Sequence, residues 1–521
     1  MKKLLLLFAF IFCIQYAQAI VYYVNPNATG NGSGFSWANA FPTIEDAFAA
    51  SIVGDQVWVI QGVYKPQGNT RSSRFNIPNG VEVYGSFAGT ETAVNQRDLV
   101  NGPTTTLNGD IGAQGVQTDN CWTVVRFTNS SNLTVFDGFR IINGYNNSST
   151  WGGAIYNSGG QPTIRNCDMI ANYGDEGGAF GNNTNDGFVT TLISCRITSN
   201  NANEGGGIYN ESGIIRLIDC DISNNQANSG GGMHIQFDKA IVDRCIFSGN
   251  SASNVGGAIT IDNTGTSLDM YNSLIVGNFA NEEAAIATTQ TFSNSDLSTI
   301  VNCTIASNRN VATSPNTSWT VTITNGSTFA NNVIVNNIAG RIFLNGNASN
   351  CVVEGAYLAN NETNITTVVP TFVNSQVPNA APFIHNSFDY RLAANSASGI
   401  DTGDNSLLNP IYLLDLDGNN RIQNTTVDAG AYEDGTLSVD EFATDNTKIF
   451  PNPAKDHLNI KTEQNITKID LFDVSGRKLS SATYTFENNR IDLINISAGM
   501  YLVKLYTASD ASQTFKFIVT K

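Results

Sequence analysis

The sequence predicts an all-β chain: a right-handed parallel β-helix followed by a small antiparallel β-sandwich. Three observations carry that expectation. First, a short phrase recurs between Phe139 and Asn337. Cys or another residue is followed two places on by Ile, Met or Phe, and three places later by Asn. It reads Cys167-Met169-Asn172, Cys195-Ile197-Asn200, Cys220-Ile222-Asn225, Cys245-Phe247-Asn250, Ser273-Ile275-Asn278, Cys303-Ile305-Asn308 and Asn332-Ile334-Asn337. Second, a phrase of paired small residues keeps the same step, from Gly153-Ala154-Ile155 through Gly178-Ala179-Phe180 and Gly206-Gly207-Ile208 to Ala284-Ala285-Ile286. Third, the composition shifts at Lys448, with eight lysines in the last 74 residues against one, Lys239, between Lys65 and Lys448.

A repeat step of 25 to 30 residues marks a solenoid, a propeller or an array. Gly-Gly and Asn-rich tracts in every copy break helices, which excludes helical repeats. Within each copy the apolar residues alternate over short runs, which is strand spacing. Three short strands and their turns fill one copy, so each copy is one coil of a parallel β-helix. A solenoid grows by stacking, which suits a chain of 521 residues. Charged residues are 14% and the net charge is −17. So acidic a chain is a poor nucleic-acid binder, because phosphate binding needs clustered cations.

Taken in order, residues 1–19 read as a secretory signal, with Lys2-Lys3, an apolar run from Leu4 to Ile14, and cleavage after Ala19 in Ala17-Gln18-Ala19. That run is too short to span a bilayer, and no transmembrane segment is expected in the mature chain. Residues 20–66 read as an N-terminal cap: a strand Val21–Val24 and a helix from Thr43 to Ala50 with Thr43 as N-cap. Residues 67–340 form the coils. Residues 341–435 lose the register and read as an irregular closing module that caps the end of the stack. Residues 436–447 are a polar linker, and 448–521 a sandwich of alternating strands.

Several of these stretches resemble known families. Gly54-Asp55, Gly62-Val63-Tyr64 and Asn79-Gly80-Val81-Glu82-Val83-Tyr84-Gly85 resemble the opening of pectate-lyase-like β-helix proteins of Bacteroidota. Gly-Gly-Ala-Ile-Tyr-Asn (152–157) and Gly-Gly-Gly-Ile-Tyr-Asn (205–210) resemble the repeats of polymorphic outer-membrane proteins, a family of surface adhesins. Asp389-Tyr390-Arg391-Leu392, Asp415-Leu416-Asp417-Gly418-Asn419 and Val427-Asp428-Ala429-Gly430 resemble the choice-of-anchor Q closing module. Ile449-Phe450-Pro451-Asn452-Pro453, Gly476-Arg477, Gly499-Met500-Tyr501-Leu502-Val503 and the ending Lys516–Lys521 resemble the C-terminal sorting domain of the type IX secretion system. That resemblance implies the type IX machinery as a partner, passage across the outer membrane, and a secreted or cell-surface location.

Stacking turns sequence columns into surface rows about 4.8 Å apart. The Asn column reads as a ladder of buried amides, and the Cys column as buried small hydrophobes rather than disulfides. A third column reads Trp151, Glu176, Glu204, Ser229, Val255, Glu282. Glu176 and Glu204 on neighbouring coils, with Asp175 adjacent, are the candidate catalytic carboxylates, since a retaining glycosidase needs a pair about 5 Å apart; solvated turn acids are the alternative. Trp151 and Arg196 are the candidate substrate contacts. Asp401, Asp404, Asp415, Asp417 and Asp428 are candidate ligands of calcium, although Thr426 stands where a twelve-residue calcium loop would carry Glu. His234 has no evident partner; Arg196 and Arg216 are candidate bases for a lyase, and Lys239 is the only lysine between Lys65 and Lys448.

Two functions follow. One is a cell-surface protein for adhesion or glycan binding, with a carbohydrate or a host extracellular-matrix ligand. The other is a secreted polysaccharide lyase or glycoside hydrolase on the same scaffold.

Overall fold

The structure is a computed structural model. It describes residues 19–102, 104–289, 297–312, 319–323, 326–338, 342–343, 346–355, 357–358, 361–434, 447–462, 466–473, 478–480, 484–507 and 512–520. The signal segment before Ala19, and the linker except Thr447, lie outside the described residues. The chain divides into two compact units, Met1–Asp434 and Gly435–Lys521.

The first unit is a parallel β-helix. Its strands assemble into a 13-stranded sheet, an 11-stranded sheet and an 8-stranded sheet, with short fourth-side sheets of two and four strands. Every pairing among these is parallel, with rungs about one repeat apart, such as Met169 beside Ile197 and Ile197 beside Ile222. Stacking begins earlier than the repeats suggest. Val21–Val24 already pairs with Gln56–Ile60, and that strand with Glu82–Phe87, as the first rungs of the long sheet. The helix Ile44–Ala50 lies between those rungs in sequence, with the Thr43 side chain accepting from the Asp46 N–H and Glu45 and Asp46 in the first turn.

The core follows from the columns. Ile164, Leu192 and Leu217 point inward from the long sheet, Met169, Ile197 and Ile222 from the second, and Phe180, Ile208 and Met233 from the third. The corners are made by single left-handed residues. Asn166, Ser194, Asp219, Arg244, Asn272, Asn302, Asn331 and Asn350 turn the long sheet into the second, with φ between 49 and 55°. Asn and Asp tolerate this region best, which accounts for their excess in the sequence. Just after each such residue the Cys column enters the core, and all seven cysteines from Cys121 to Cys351 are buried free thiols.

The Asn column is a continuous ladder. In each step from Asn172 to Asn308, the side-chain amide and the backbone N–H both donate to the Oδ1 of the next asparagine, at 2.9–3.1 Å. A second ladder, Asn157–Asn182–Asn210, runs inside the third sheet.

The closing segment divides between two places. Its first part supplies the last rungs of the stack, with Asn347–Ser349 and Asn361–Thr363 ending the long sheet, Val352–Val353 ending the second, and Ile365 packed against the core. Its later part lies along the side of the second sheet. Phe372, Tyr390, Leu392 and Ala429 cover the outward Leu274, Val276, Ala306, Val333 and Val335. Gly430 donates its N–H to the Asn331 carbonyl, and the Ala431 N–H donates to Thr304 Oγ1. The physical cause is the composition of those rungs, whose outer face is as apolar as their inner face and must be covered.

The second unit is a two-sheet antiparallel sandwich, of four strands and three strands. Leu458, Leu471, Ile491, Val503 and Phe517 fill the space between them.

Candidate functional site

The departures from the repeat gather on the outer face of the third sheet. Inward residues there alternate with outward ones, as the pleat requires. The outward column reads Arg126, Tyr156, Gly181, Tyr209, His234, Thr260. Beside it runs the column Trp151, Glu176, Glu204, Ser229, paired in register rung by rung.

Gly181 fixes the shape. It leaves a gap in the row between Tyr156 and Tyr209, and the backbone of Trp151 and Gly152 comes down into it. A methyl group built on Gly181 would meet the Trp151 Cβ at 2.5 Å and the Gly152 nitrogen at 2.7 Å. Trp151 therefore lies against the sheet, with its ring 5.4 Å from that of Tyr156. Both rings are half-buried, and the Arg126 guanidinium lies over the Tyr156 ring.

The acids surround this pair. Glu176 and Glu204 occupy adjacent rungs. Burial pushes the Glu176 carboxyl up, and Glu211, Glu204 and Asp175 push the same way. The Trp151 N–H is near enough to favour the ionised form, but it is buried and makes no hydrogen bond of normal geometry. Tyr209 and His234 form the floor, each nearly inaccessible. Tyr209 donates to Glu211 Oε2 at 3.0 Å, and its ring is 5.3 Å from His234. His234 Nε2 is 3.1 Å from Gln236 Oε1, 3.9 Å from Glu204 and 3.8 Å from Asp262. Burial holds His234 below its usual range, against the pull of both acids.

Trp151, Glu176 and Glu204 are thus brought together. Asp175 is a neighbouring charge whose carboxylate accepts from the Asn203 amide. Arg196 does not join them. Its rung belongs to the second sheet, where it makes a two-point ion pair with Asp168 at 2.7 and 3.0 Å. Lys239 pairs with Asp269 at 2.6 Å on the long sheet. Tyr156, Tyr209 and Glu211 are site residues that sequence reasoning missed. The signal was present in the repeated Ile-Tyr-Asn, whose middle residue must face outward when its neighbours face in.

The five candidate calcium ligands are spread over separate tasks. Asp404 caps a turn at Ser406, Asp417 pairs with Arg391, and Asp415 accepts from the N–H groups of Asp417, Asn419 and Glu433. Asp428 accepts from Asp401 and Asp434. No group of three or more His, Cys, Asp or Glu among the described residues is placed to hold a metal ion. Recesses elsewhere are lined mainly by uncharged residues. One of about 790 Å³ is lined by Asn350, Asn364, Thr366, Ser398 and Asn405, with Asp404 at its edge. Another, of about 430 Å³, is lined by Asn143, Tyr145, Tyr173 and Asn201. The second shares the strand Tyr173–Glu176 with the perturbed Glu176, and perturbed acids mark a functional face better than volume does.

Fold and C-terminal unit together define an exported protein. Residues 448–520 match the family model of the secretion system C-terminal sorting domain. The chain is a parallel β-helix delivered by the type IX secretion system, secreted or held at the cell surface. No curated protein matches it. Among solved structures, the crystal structure of pectate lyase Pel9A is similar, at 16% identity and a TM-score of 0.48, over 80% of this chain and 97% of that one. No helix among the described residues is long and apolar enough to cross a membrane.

Proposed function

We propose that this chain binds glycans at the cell surface, through the half-buried rings of Trp151 and Tyr156 and the carboxylates of Glu176, Glu204 and Glu211. The observation that carries the reading is the gap at Gly181. It lets the Trp151 strand close against the sheet, with the indole tilted 49° to the Tyr156 ring, Glu176 one rung away, and Glu204 and the strand of Glu211 two rungs away. Sugar rings are apolar on their faces and rich in hydroxyl donors at their edges. Aromatic platforms take the first, and carboxylates accept strong hydrogen bonds from the second. Displayed on a secreted or surface protein, such a face serves adhesion to carbohydrate or to a glycosylated host matrix.

A second reading is a glycoside hydrolase. It is favoured by one observation, the upward push on Glu176 beside Glu204, since a general acid must hold its proton. A lyase has less support, because Arg196 and Lys239 are engaged in ion pairs and Arg216 stands on the long sheet, not in the column that carries Glu176 and Glu204.

The test is a glycan array probed with the full chain, followed by incubation with each retained glycan and measurement of new reducing ends and unsaturated products. Retention without products supports binding. Products that disappear in Glu204→Gln support the hydrolase. No retention by any glycan overturns both.

A further inference from the structure

Arg74 and Arg126 stand together at one end of the aromatic row. The strand Phe75–Asn76 pairs with Val125–Thr128, with Phe75 beside Val125 and Asn76 beside Arg126. Phe75, Val125 and Phe127 are fully buried. Alternation then puts Arg74 and Asn76 on the outer side of the third sheet with Arg126, Asn76 directly beside Arg126 and Arg74 diagonal to it, two residues earlier. The Arg126 guanidinium lies 5.2 Å above the Tyr156 ring. It also acts on Arg74, which is held below its usual range by burial and by the charge of Arg126.

Neither has a counter-ion. Among the other described arginines, Arg97, Arg165, Arg196, Arg244, Arg391 and Arg421 each pair with a carboxylate, while Arg71, Arg140, Arg216, Arg309 and Arg490 do not. Arg74 and Arg126 form no such pair among the described residues, and the Arg126 Nε is buried without a hydrogen-bond partner. Two adjacent guanidiniums repel, and a buried unmatched donor is costly. An anion between them relieves both, because the planar fork matches carboxylate or sulfate oxygens. The rest of the face sets what that anion is attached to. Beyond Tyr156 the charges are all negative, at Glu176, Glu204, Glu211 and Asp262. A uniform polyanion laid along the row would be repelled there. A neutral sugar chain would not.

We propose that Arg74 and Arg126 form an anion-recognition subsite for one terminal carboxylate or sulfate on a glycan whose neutral part lies over Tyr156 and Trp151. This rests on the glycan-binding reading and narrows it. The site is polarised: charge is read at one end, and hydroxyls and ring faces along the remainder.

The test uses an array bearing matched sets of each oligosaccharide: neutral, with one terminal sugar acid, and with one terminal sulfate. Polygalacturonate is the polyanion control. The full chain is expected to retain singly charged members at least tenfold better than neutral ones and to bind polygalacturonate no better than neutral chains. Arg74→Gln and Arg126→Gln are each expected to abolish that preference, with neutral binding staying within twofold in Arg74→Gln, whose side chain does not stack on Tyr156. The carboxylate and sulfate arms show which group is read. Equal retention of charged and neutral members, or a preference that survives in both variants, overturns the subsite and leaves glycan binding standing. A melting shift with inorganic sulfate that is lost in Arg126→Gln, with no glycan retained, overturns the glycan reading alone. No glycan retained and no sulfate shift overturns both.

Discussion

The side-chain amide and the backbone N–H of Asn200 both donate to one oxygen, Oδ1 of Asn225, each at 3.0 Å. Asn225 repeats the arrangement with Asn250. Each amide thus satisfies a buried N–H of the coil before it, and this holds adjacent coils in register.

Asn225→Ala removes the acceptor for two buried donors of Asn200 and leaves a gap beside Ile197. An unsatisfied buried donor costs about 1–3 kcal/mol. Loss of about 2–5 kcal/mol is expected from denaturant unfolding of the β-helix, with the m-value unchanged. A loss below about 1 kcal/mol would show that the ladder is incidental.

Glu283 occupies a glycine position. Gly152, Gly177, Gly205, Gly230 and Gly256 precede it in its column, all with φ between 63 and 77°, and Glu283 has φ 46°. Its carboxyl is buried, and burial reinforced by Glu282 pushes it up to about 7. The folded state therefore holds the proton more tightly than the unfolded chain. Stability from this group is complete below the unfolded pKa and falls as pH rises from about 4.5 to about 7. Glu283→Gly relieves the backbone and removes the carboxyl. It is expected to raise the melting temperature at pH 8 and to flatten the slope between pH 5 and 7. A lower melting temperature at pH 8 would refute this.

Burial also pushes the Cys303 and Cys351 thiols up to about 12. Thiolate is the reactive form, so these thiols are inert in the folded chain. Native protein is expected to take up no alkylating reagent at the core cysteines, with or without reductant, and all of them to react once it is unfolded. Labelling that requires reductant in the unfolded state would reveal disulfides. Cys245→Ser should be mild, because Ser273 stands one rung on in the same column and already accepts from the Cys245 N–H at 3.0 Å.

Most of the fold was legible because stacking repeats the same physical demand in every coil. Asn172 through Asn337, the Cys column and the Gly turns each recur at one step, and the register follows from them. The later part of the closing segment was not legible. Its place depends on the outward Val333 and Val335, and a run of alternating and non-alternating apolar residues does not say which face a later loop will cover. The site was half legible. Trp151, Glu176 and Glu204 share a column that can be counted. Arg196 appeared to belong with them only because sequence distance around a coil does not show which sheet a residue is on. Tyr156 and Tyr209 were hidden for the opposite reason, since they look like part of the repeat. What makes them a site is the glycine between them, and a missing side chain shows its effect only when the Trp151 backbone is seen to come down into the gap.

The central claim is that Trp151 and Tyr156 are the contact surface for glycan. Its most direct measurement is the calorimetric affinity of the full chain, Trp151→Ala and Tyr156→Ala for a glycan retained on the array, with melting temperatures recorded in parallel. The predicted result is at least a tenfold loss of affinity in each variant with melting within a few degrees of the native chain. Unchanged affinity in both variants would contradict the claim.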